Sequence, residues 1–303
     1  MSALRATGGR CIFTPLQYVY HKYPSYDSMF SRLLSMLIQE ITVKACLTKS
    51  KLTDYVINPY VGCQHACHYC YAVFMKRFQN IAEPWGEFVH VKMNCPELLA
   101  GELKKNRPGN IWLSSVTDAY HPIEAKYRLT RRILETICDS PYRSKFTLEL
   151  LTKSSLVKRD FDLLQTLPVE LGCSINSLDA HVARVVEPLA APPQDRIAVL
   201  RAAQAEGLRV YGFISPVIPG LTKLEEIFER LNFCEYVWVE LLNTKPSVLN
   251  RLLPTLRQHF PSQYPEIQRY LRYPARYFEQ IKAQVDELHR KHGVEVRGVV
   301  RHD

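Results

Sequence analysis

Cys63, Cys67 and Cys70 stand in the run NPYVGCQHACHYCYA at residues 58–72, spaced C-x3-C-x2-C, with Tyr69 directly before the third cysteine. Thiolate is the ligand that iron–sulfur clusters take, and three cysteines this close together can hold three irons of a 4Fe–4S cube. No fourth cysteine follows at short range, the next being Cys95. The fourth iron is then left open to a small chelating molecule. Zinc is the competing reading, since a structural zinc takes four N/S ligands and His65 and His68 lie close enough to compete. A disulfide framework fits less well. The chain has nine cysteines in 303 residues with no paired pattern, which suits a reducing compartment.

A loop of this kind needs a scaffold, and the middle of the chain supplies one. Short β-branched runs at 55–58, 87–92, 110–116, 147–152, 169–175, 209–218 and 236–242 alternate with helical patterns at 70–79, 96–105, 129–139, 155–167, 194–206 and 223–232. That alternation predicts parallel strands joined by crossover helices. No glycine-rich dinucleotide fingerprint or phosphate loop follows any strand. The expected fold is α/β, a partial TIM-like (β/α)6 barrel over residues 43–245. It carries a short N-terminal arm at 1–42, with an amphipathic helix expected over 26–40, and a helical C-terminal extension at 246–303. In such barrels chemistry collects at the C-terminal ends of strands. The cysteine loop falls there after the first predicted strand, Thr117 and Asp118 after the third, Lys153 after the fourth, Ser174 and Asn176 after the fifth, and 216–220 after the sixth.

The net charge of +9 favours a polyanionic partner through its long-range field. Residues 246–303 carry ten Lys and Arg against six acids, and arginine and tyrosine interleave over 268–278. Cations beside aromatic faces can neutralise phosphates and stack bases; the plainer reading of the same pattern, and the preferred one, is a capping helix with tyrosines packed on the barrel and arginines in water. No stretch reaches the roughly 18 uninterrupted apolar residues of a membrane span, and residues 1–10 lack a secretory pattern. The expectation is a soluble cytoplasmic protein with no membrane partner.

Several runs together resemble the radical S-adenosylmethionine (SAM) enzymes related to spore photoproduct lyase. These are LTKS at 47–50, NPYVGC at 58–63, HACHYCYA at 65–72, WGEFVHVK at 85–92, VTDAYHP at 116–122, YRLTR at 127–131, Glu187–Pro188 and PVIPGL at 216–221. The resemblance covers about residues 42–243. It implies that Cys63, Cys67 and Cys70 ligate a 4Fe–4S cluster and that the open iron chelates SAM. It also implies that reductive cleavage yields a 5′-deoxyadenosyl radical, with a flavodoxin- or ferredoxin-type protein as one-electron reductant. Tyr69 matches an aromatic near the adenine, Thr117 and Ser174 match cofactor-binding hydroxyls, and Lys153 matches a cation for the cofactor's carboxylate. Asp118 follows Thr117, and Asn176 shares a strand face with Ser174. Tyr71 is similar to a tyrosine near the cofactor that relays a hydrogen atom, and Tyr71 and Tyr120 are the expected substitute donors.

Without that resemblance the same residues have plainer readings. Tyr69 would pack the loop, Lys153 would be a snorkelling strand-end lysine, and His65 and His68 would face solvent rather than the cluster sulfurs. His121, beside Asp118, offers acid/base chemistry that a radical reaction does not require. One departure from the family matters. Spore photoproduct lyase returns hydrogen from a cysteine two residues before the position of Thr117, and here that residue is Ser115. An aliphatic O–H bond is too strong to donate readily to a carbon radical, so repair of the spore photoproduct is not expected. The leading expectation is hydrogen abstraction from a bulky substrate, with nucleic acid first. A peptide or small metabolite is the alternative substrate, and a non-catalytic Fe–S electron carrier the alternative class.

Overall fold

The computed structural model describes residues 36–302. Eleven strands are found in this range. In chain order they are β1 (Leu37–Ile41), β2 (Leu47–Lys49), β3 (Tyr55–Ile57), β4 (Tyr60–Val61), β5 (Phe88–Lys92), β6 (Gly109–Leu113), β7 (Phe146–Thr152), β8 (Val169–Ser174), β9 (Arg209–Val217), β10 (Tyr236–Leu241) and β11 (Glu295–Val300). Eight of them form one sheet in the order β11-β10-β9-β8-β7-β6-β3-β2. From β3 to β11 every neighbour is parallel, and β2 closes one edge antiparallel to β3. The sheet is ordered from β2 to β11 without those two edges pairing. The parallel α/β sheet of the partial barrel expected from the sequence is therefore present among the described residues.

Local sequence explains the elements. Phe146, Leu148, Leu150 and Thr152 of β7 are buried and the residues between them are not, the two-residue alternation of a strand. The helix Leu129–Cys138 buries Leu129, Ile133, Leu134 and Ile137, the stripe expected at 3.6 residues per turn. Asp179 caps the helix Ala180–Val186 by accepting from the N–H groups of His181 and Val182. Ile57, Ile111, Leu113, Leu150, Leu171, Ile214, Val237 and Val239 are essentially solvent-free and form the core of the sheet.

Four expectations are corrected. The run 87–92 is a strand, but β5 lies outside the barrel sheet. It pairs parallel with β1 and antiparallel with β4 in a separate three-stranded sheet. An all-buried strand such as β5 shows in the sequence that it is covered on both faces, not which sheet covers it. Thr117 and Asp118 therefore follow the second barrel strand, not the third, and each later site moves down by one. Secondly, the helix expected over 26–40 falls mostly outside the described residues, and its end, Leu37–Ile41, is strand β1. Thirdly, the C-terminal extension is not purely helical. After the helices Pro246–His259, Tyr264–Arg272 and Pro274–His292, Gly293 takes a left-handed φ of 74° and ends the last helix, as C′ glycines do. The chain then adds β11 to the barrel beside β10. Fourthly, Cys46 and Cys95 form a disulfide with a Cα–Cα distance of 5.0 Å, although no paired pattern was visible in the sequence. Among the described residues, no helix is long and apolar enough to cross a membrane.

Candidate active site

The loop after β4 carries the three cysteines and is fixed by its backbone. The N–H of His68 donates to Val186 O at 2.9 Å, that of Leu189 to His65 O at 3.3 Å, and that of Cys70 to Cys67 O at 3.2 Å. Gly86 packs the turn before β5 against this loop. Its φ is +97°, and a Cβ there would lie 2.5 Å from that of Ala66, so only glycine fits.

Side chains complete the anchoring. Asp118, at the end of the loop following β6, accepts from the N–H of Tyr120 at 2.9 Å, from Thr152 Oγ1 at 2.7 Å and from the N–H of Lys153 at 2.8 Å. Its Oδ2 also lies 3.1 Å from His65 Nε2, and His65 Nδ1 faces Leu189 O at 3.1 Å. Burial alone would raise the Asp118 carboxyl. The His65 ring and the two N–H donors overrule it and hold the group well below the usual carboxylate range. Asp118 is thus a fixed anion joining the cluster loop to the ends of two strands. Thr117 Oγ1 donates to Gly62 O at 2.6 Å and ties the same loop down.

One cavity collects Cys63, Cys67 and Cys70 with Tyr69, Tyr71, Thr117, Asp118, Lys153 and Ser174. These come from the loop after β4, beyond the end of β3, and from the ends of β6, β7 and β8, the face where barrel chemistry is expected. Burial pushes all three thiols up, Cys67 to about 12, so metal must displace their protons to bind. Among the described residues no three His, Cys, Asp or Glu side chains converge tightly enough to hold a single metal ion.

The cation of the cavity is Lys153. Burial would lower its pKa, but Cys67 and Glu187 outweigh this and leave it raised, so it is charged. Its Nζ lies 5.8 Å from the centroid of the Tyr69 ring and has no carboxylate in ion-pair contact among the described residues. Ser114 Oγ and Trp112 Nε1 also line the cavity without a protein partner. A buried donor set of this composition accepts a polar ligand carrying a carboxylate. Lys153→Ala should weaken SAM binding to the cluster-loaded protein by about 1.5–3 kcal/mol, the scale of a hydrogen bond to a charged group. Titration calorimetry reads this directly, and an unchanged affinity would make Lys153 a structural residue.

Behind the cavity lies a network that sequence reasoning missed. The Tyr69 hydroxyl donates to Glu187 Oε1, and Glu187 is paired with Arg196. Arg196 is 1% exposed and also donates to Ala191 O at 2.7 Å and Ser174 O at 2.8 Å. Glu187 was visible only as part of a family motif. Arg196 sits in a helix and reads as an ordinary surface arginine. Ser215, Glu240 and His302 were missed as well. Ser215 Oγ donates to Glu240, and His302 Nε2 lies 2.9 Å from Glu240 Oε1. All three line the cavity.

Other expected residues stand elsewhere. Tyr120 does not line the cavity; it is fully buried, and burial with the nearby charges of Asp160 and Glu124 pushes its hydroxyl pKa up. Asn176 is also off the cavity lining and buried, its amide atoms without protein partners. His121 is solvent-free, and burial pushes its pKa down to about 3. It contacts Gln64 Oε1 at 3.1 Å and serves the loop rather than acid/base chemistry. His65 and His68 both have partners in the protein, His68 Nδ1 lying 3.5 Å from Thr255 Oγ1.

A parallel α/β sheet that brings a three-cysteine loop and a lysine to one cavity at its strand ends can accommodate a metal cluster beside a carboxylate-bearing ligand. The radical SAM superfamily matches residues 57–234, more than half of the chain, and the chain belongs to it. It is a radical SAM enzyme, and its cofactors are a 4Fe–4S cluster and SAM. It is similar to an uncharacterized protein of Methanocaldococcus jannaschii, 40% identical over 219 residues that cover 72% of this chain and 80% of that one. An uncharacterized protein of Mycobacterium tuberculosis is 33% identical over 186 residues, 58% of this chain and 53% of that one. In fold it resembles spore photoproduct lyase complexed with dinucleoside spore photoproduct, with a TM-score of 0.62 and 17% identity. That match covers 89% of this chain and 84% of the lyase.

Proposed function

We propose that this enzyme abstracts a hydrogen atom from a nucleobase-bearing substrate presented as nucleic acid. The observation that carries the reading is the cavity wall beyond the cysteines. Tyr71, Trp112 and Phe213 supply aromatic surface, and Ser215, Glu240, Asn243 and His302 supply hydrogen-bonding edges. A flat heteroaromatic ring with donors and acceptors on its rim is the chemistry such walls accept. The net charge of +9 and the fold neighbour holding a dinucleoside lesion support the same reading.

Within this reading Cys63, Cys67 and Cys70 hold the cluster, and Lys153 holds the carboxylate of SAM. Tyr69 is fixed for the adenine side by Glu187. Bound together, the cofactors supply one-electron cleavage to a 5′-deoxyadenosyl radical. The protein orients the substrate and excludes water around it. We assign the return of hydrogen to Tyr71. It lines the cavity and its hydroxyl donates to the Ser115 carbonyl, whereas the Ser115 hydroxyl itself is too strong a bond to give up hydrogen.

Fluorescence anisotropy with single-stranded and duplex oligonucleotides, repeated across salt, tests the substrate class. Binding should weaken steeply as salt rises, with a slope of about 0.7–0.9 per phosphate neutralised. Absent binding, or binding indifferent to salt, would exclude nucleic acid and move the reading to a peptide or small metabolite.

A further inference from the structure

The cavity accounts for one side of the cysteine loop, and a different set of groups covers another. The helix Pro246–His259 packs against the turn Tyr71–Met75 that follows the cysteines. Arg251 projects from it to the loop, and its Nη2 donates to Cys67 O at 3.2 Å. Its Nη1 is buried and has no acceptor among the described residues. From the other side Trp85, 6% exposed, packs in the cluster of side chains that contains Cys63 and Cys70. Its Nε1 is likewise buried with no hydrogen-bond partner among the described residues, and Cys70 packs in the same cluster of side chains. Neither residue lines the cavity, so neither is placed to hold SAM or a substrate.

Two buried donors left unpaired on either side of one loop are costly in isolation. Sulfur bound to iron is an acceptor able to satisfy both, and hydrogen bonds and charge around cluster sulfurs set the reduction potential. Reduction adds one negative charge to the cluster. A guanidinium and an indole N–H held beside it in a water-poor setting favour the reduced form over the oxidised one, because the Coulomb interaction is stronger where the dielectric is low. We propose that Arg251 and Trp85 are positioning residues that raise the reduction potential of the cluster. On this view helix Pro246–His259 of the C-terminal extension is an electrostatic part of the redox centre.

The test is an anaerobic redox titration of the reconstituted protein, followed by electron paramagnetic resonance of the reduced cluster, with iron content measured on each sample. Arg251→Gln should be harder to reduce by about tenfold in the equilibrium, which is about 59 mV for a one-electron couple. Trp85→Phe should shift in the same direction by less, and Arg251→Lys, which keeps the charge, should stay nearer the wild type than Arg251→Gln. Full iron loading with a wild-type midpoint in both Arg251→Gln and Trp85→Phe would overturn the proposal and leave Arg251 a tether of the loop. Should Arg251→Gln fail to hold a cluster, the Trp85→Phe midpoint decides: a lowered value supports the proposal and an unchanged one overturns it.

Discussion

Replacing Cys63, Cys67 and Cys70 together by alanine will abolish iron binding and with it all cleavage of SAM, while the chain stays folded. The reconstituted wild type should carry four irons per chain and the variant none. The expectation of a folded variant rests on where the loop gets its shape. His68, Cys70 and Leu189 fix it through backbone hydrogen bonds, and Asp118, His65 and Thr117 fix it through groups that the substitutions leave in place. None of these anchoring contacts runs through a thiol. Iron analysis with circular dichroism reads both parts. Four irons retained by the variant would remove the cluster from this loop, and an unfolded variant would show that the cysteines carry structure as well as metal.

The second large effect concerns stability. Glu187→Ala should destabilise the protein by about 3–5 kcal/mol, because it leaves the Arg196 guanidinium buried without its counter-charge. Arg196 is 1% exposed and cannot move its charge into water. The pair also has a pH signature. Burial raises the Glu187 carboxyl, but Arg196 and Lys153 pull it further down, so its folded pKa lies below the ordinary value. Its contribution is complete above the unfolded carboxylate pKa of about 4.3 and is lost as pH falls through the depressed folded value. Chemical denaturation at neutral pH and again in the acid range measures both. A Glu187→Ala protein as stable as the wild type at neutral pH would mean that Arg196 finds another partner. Tyr69, which donates to Glu187, loses its anchor in the same variant, so SAM binding should weaken along with stability.

The site was legible where chemistry is written in short-range spacing. Three cysteines within eight residues announce the cluster, and Lys153 announces itself by following the strand β7. Residues brought together from far apart were not legible. Arg196 lies in a helix whose sequence shows no demand for burial, and only the packed structure reveals that its charge is enclosed. Cys46 and Cys95 are 49 residues apart in the chain, and nothing local marks them as partners. The six strands from β3 to β10 in the barrel were found within about three residues, because β-branched runs bounded by helical patterns are local signals. Assigning β5 to the same sheet failed, since strand character does not name a neighbour. β11 was overlooked because it follows the long basic stretch at the C-terminal end, where charge masks a short alternating run. Tyr120 and Asn176 show a further limit. Proximity in sequence to Asp118 and Ser174 suggested the cavity, but both side chains lie off its lining.

The central claim, radical abstraction from nucleic acid, is tested most directly by isotope transfer. The anaerobic enzyme is supplied with reductant, SAM and oligonucleotides deuterated on the bases and sugars, and the 5′-deoxyadenosine formed is weighed by mass spectrometry. The account predicts that 5′-deoxyadenosine carries deuterium and that its formation speeds up when oligonucleotide is present. Cleavage of SAM at an unchanged rate, with no deuterium gained from any oligonucleotide, would contradict it.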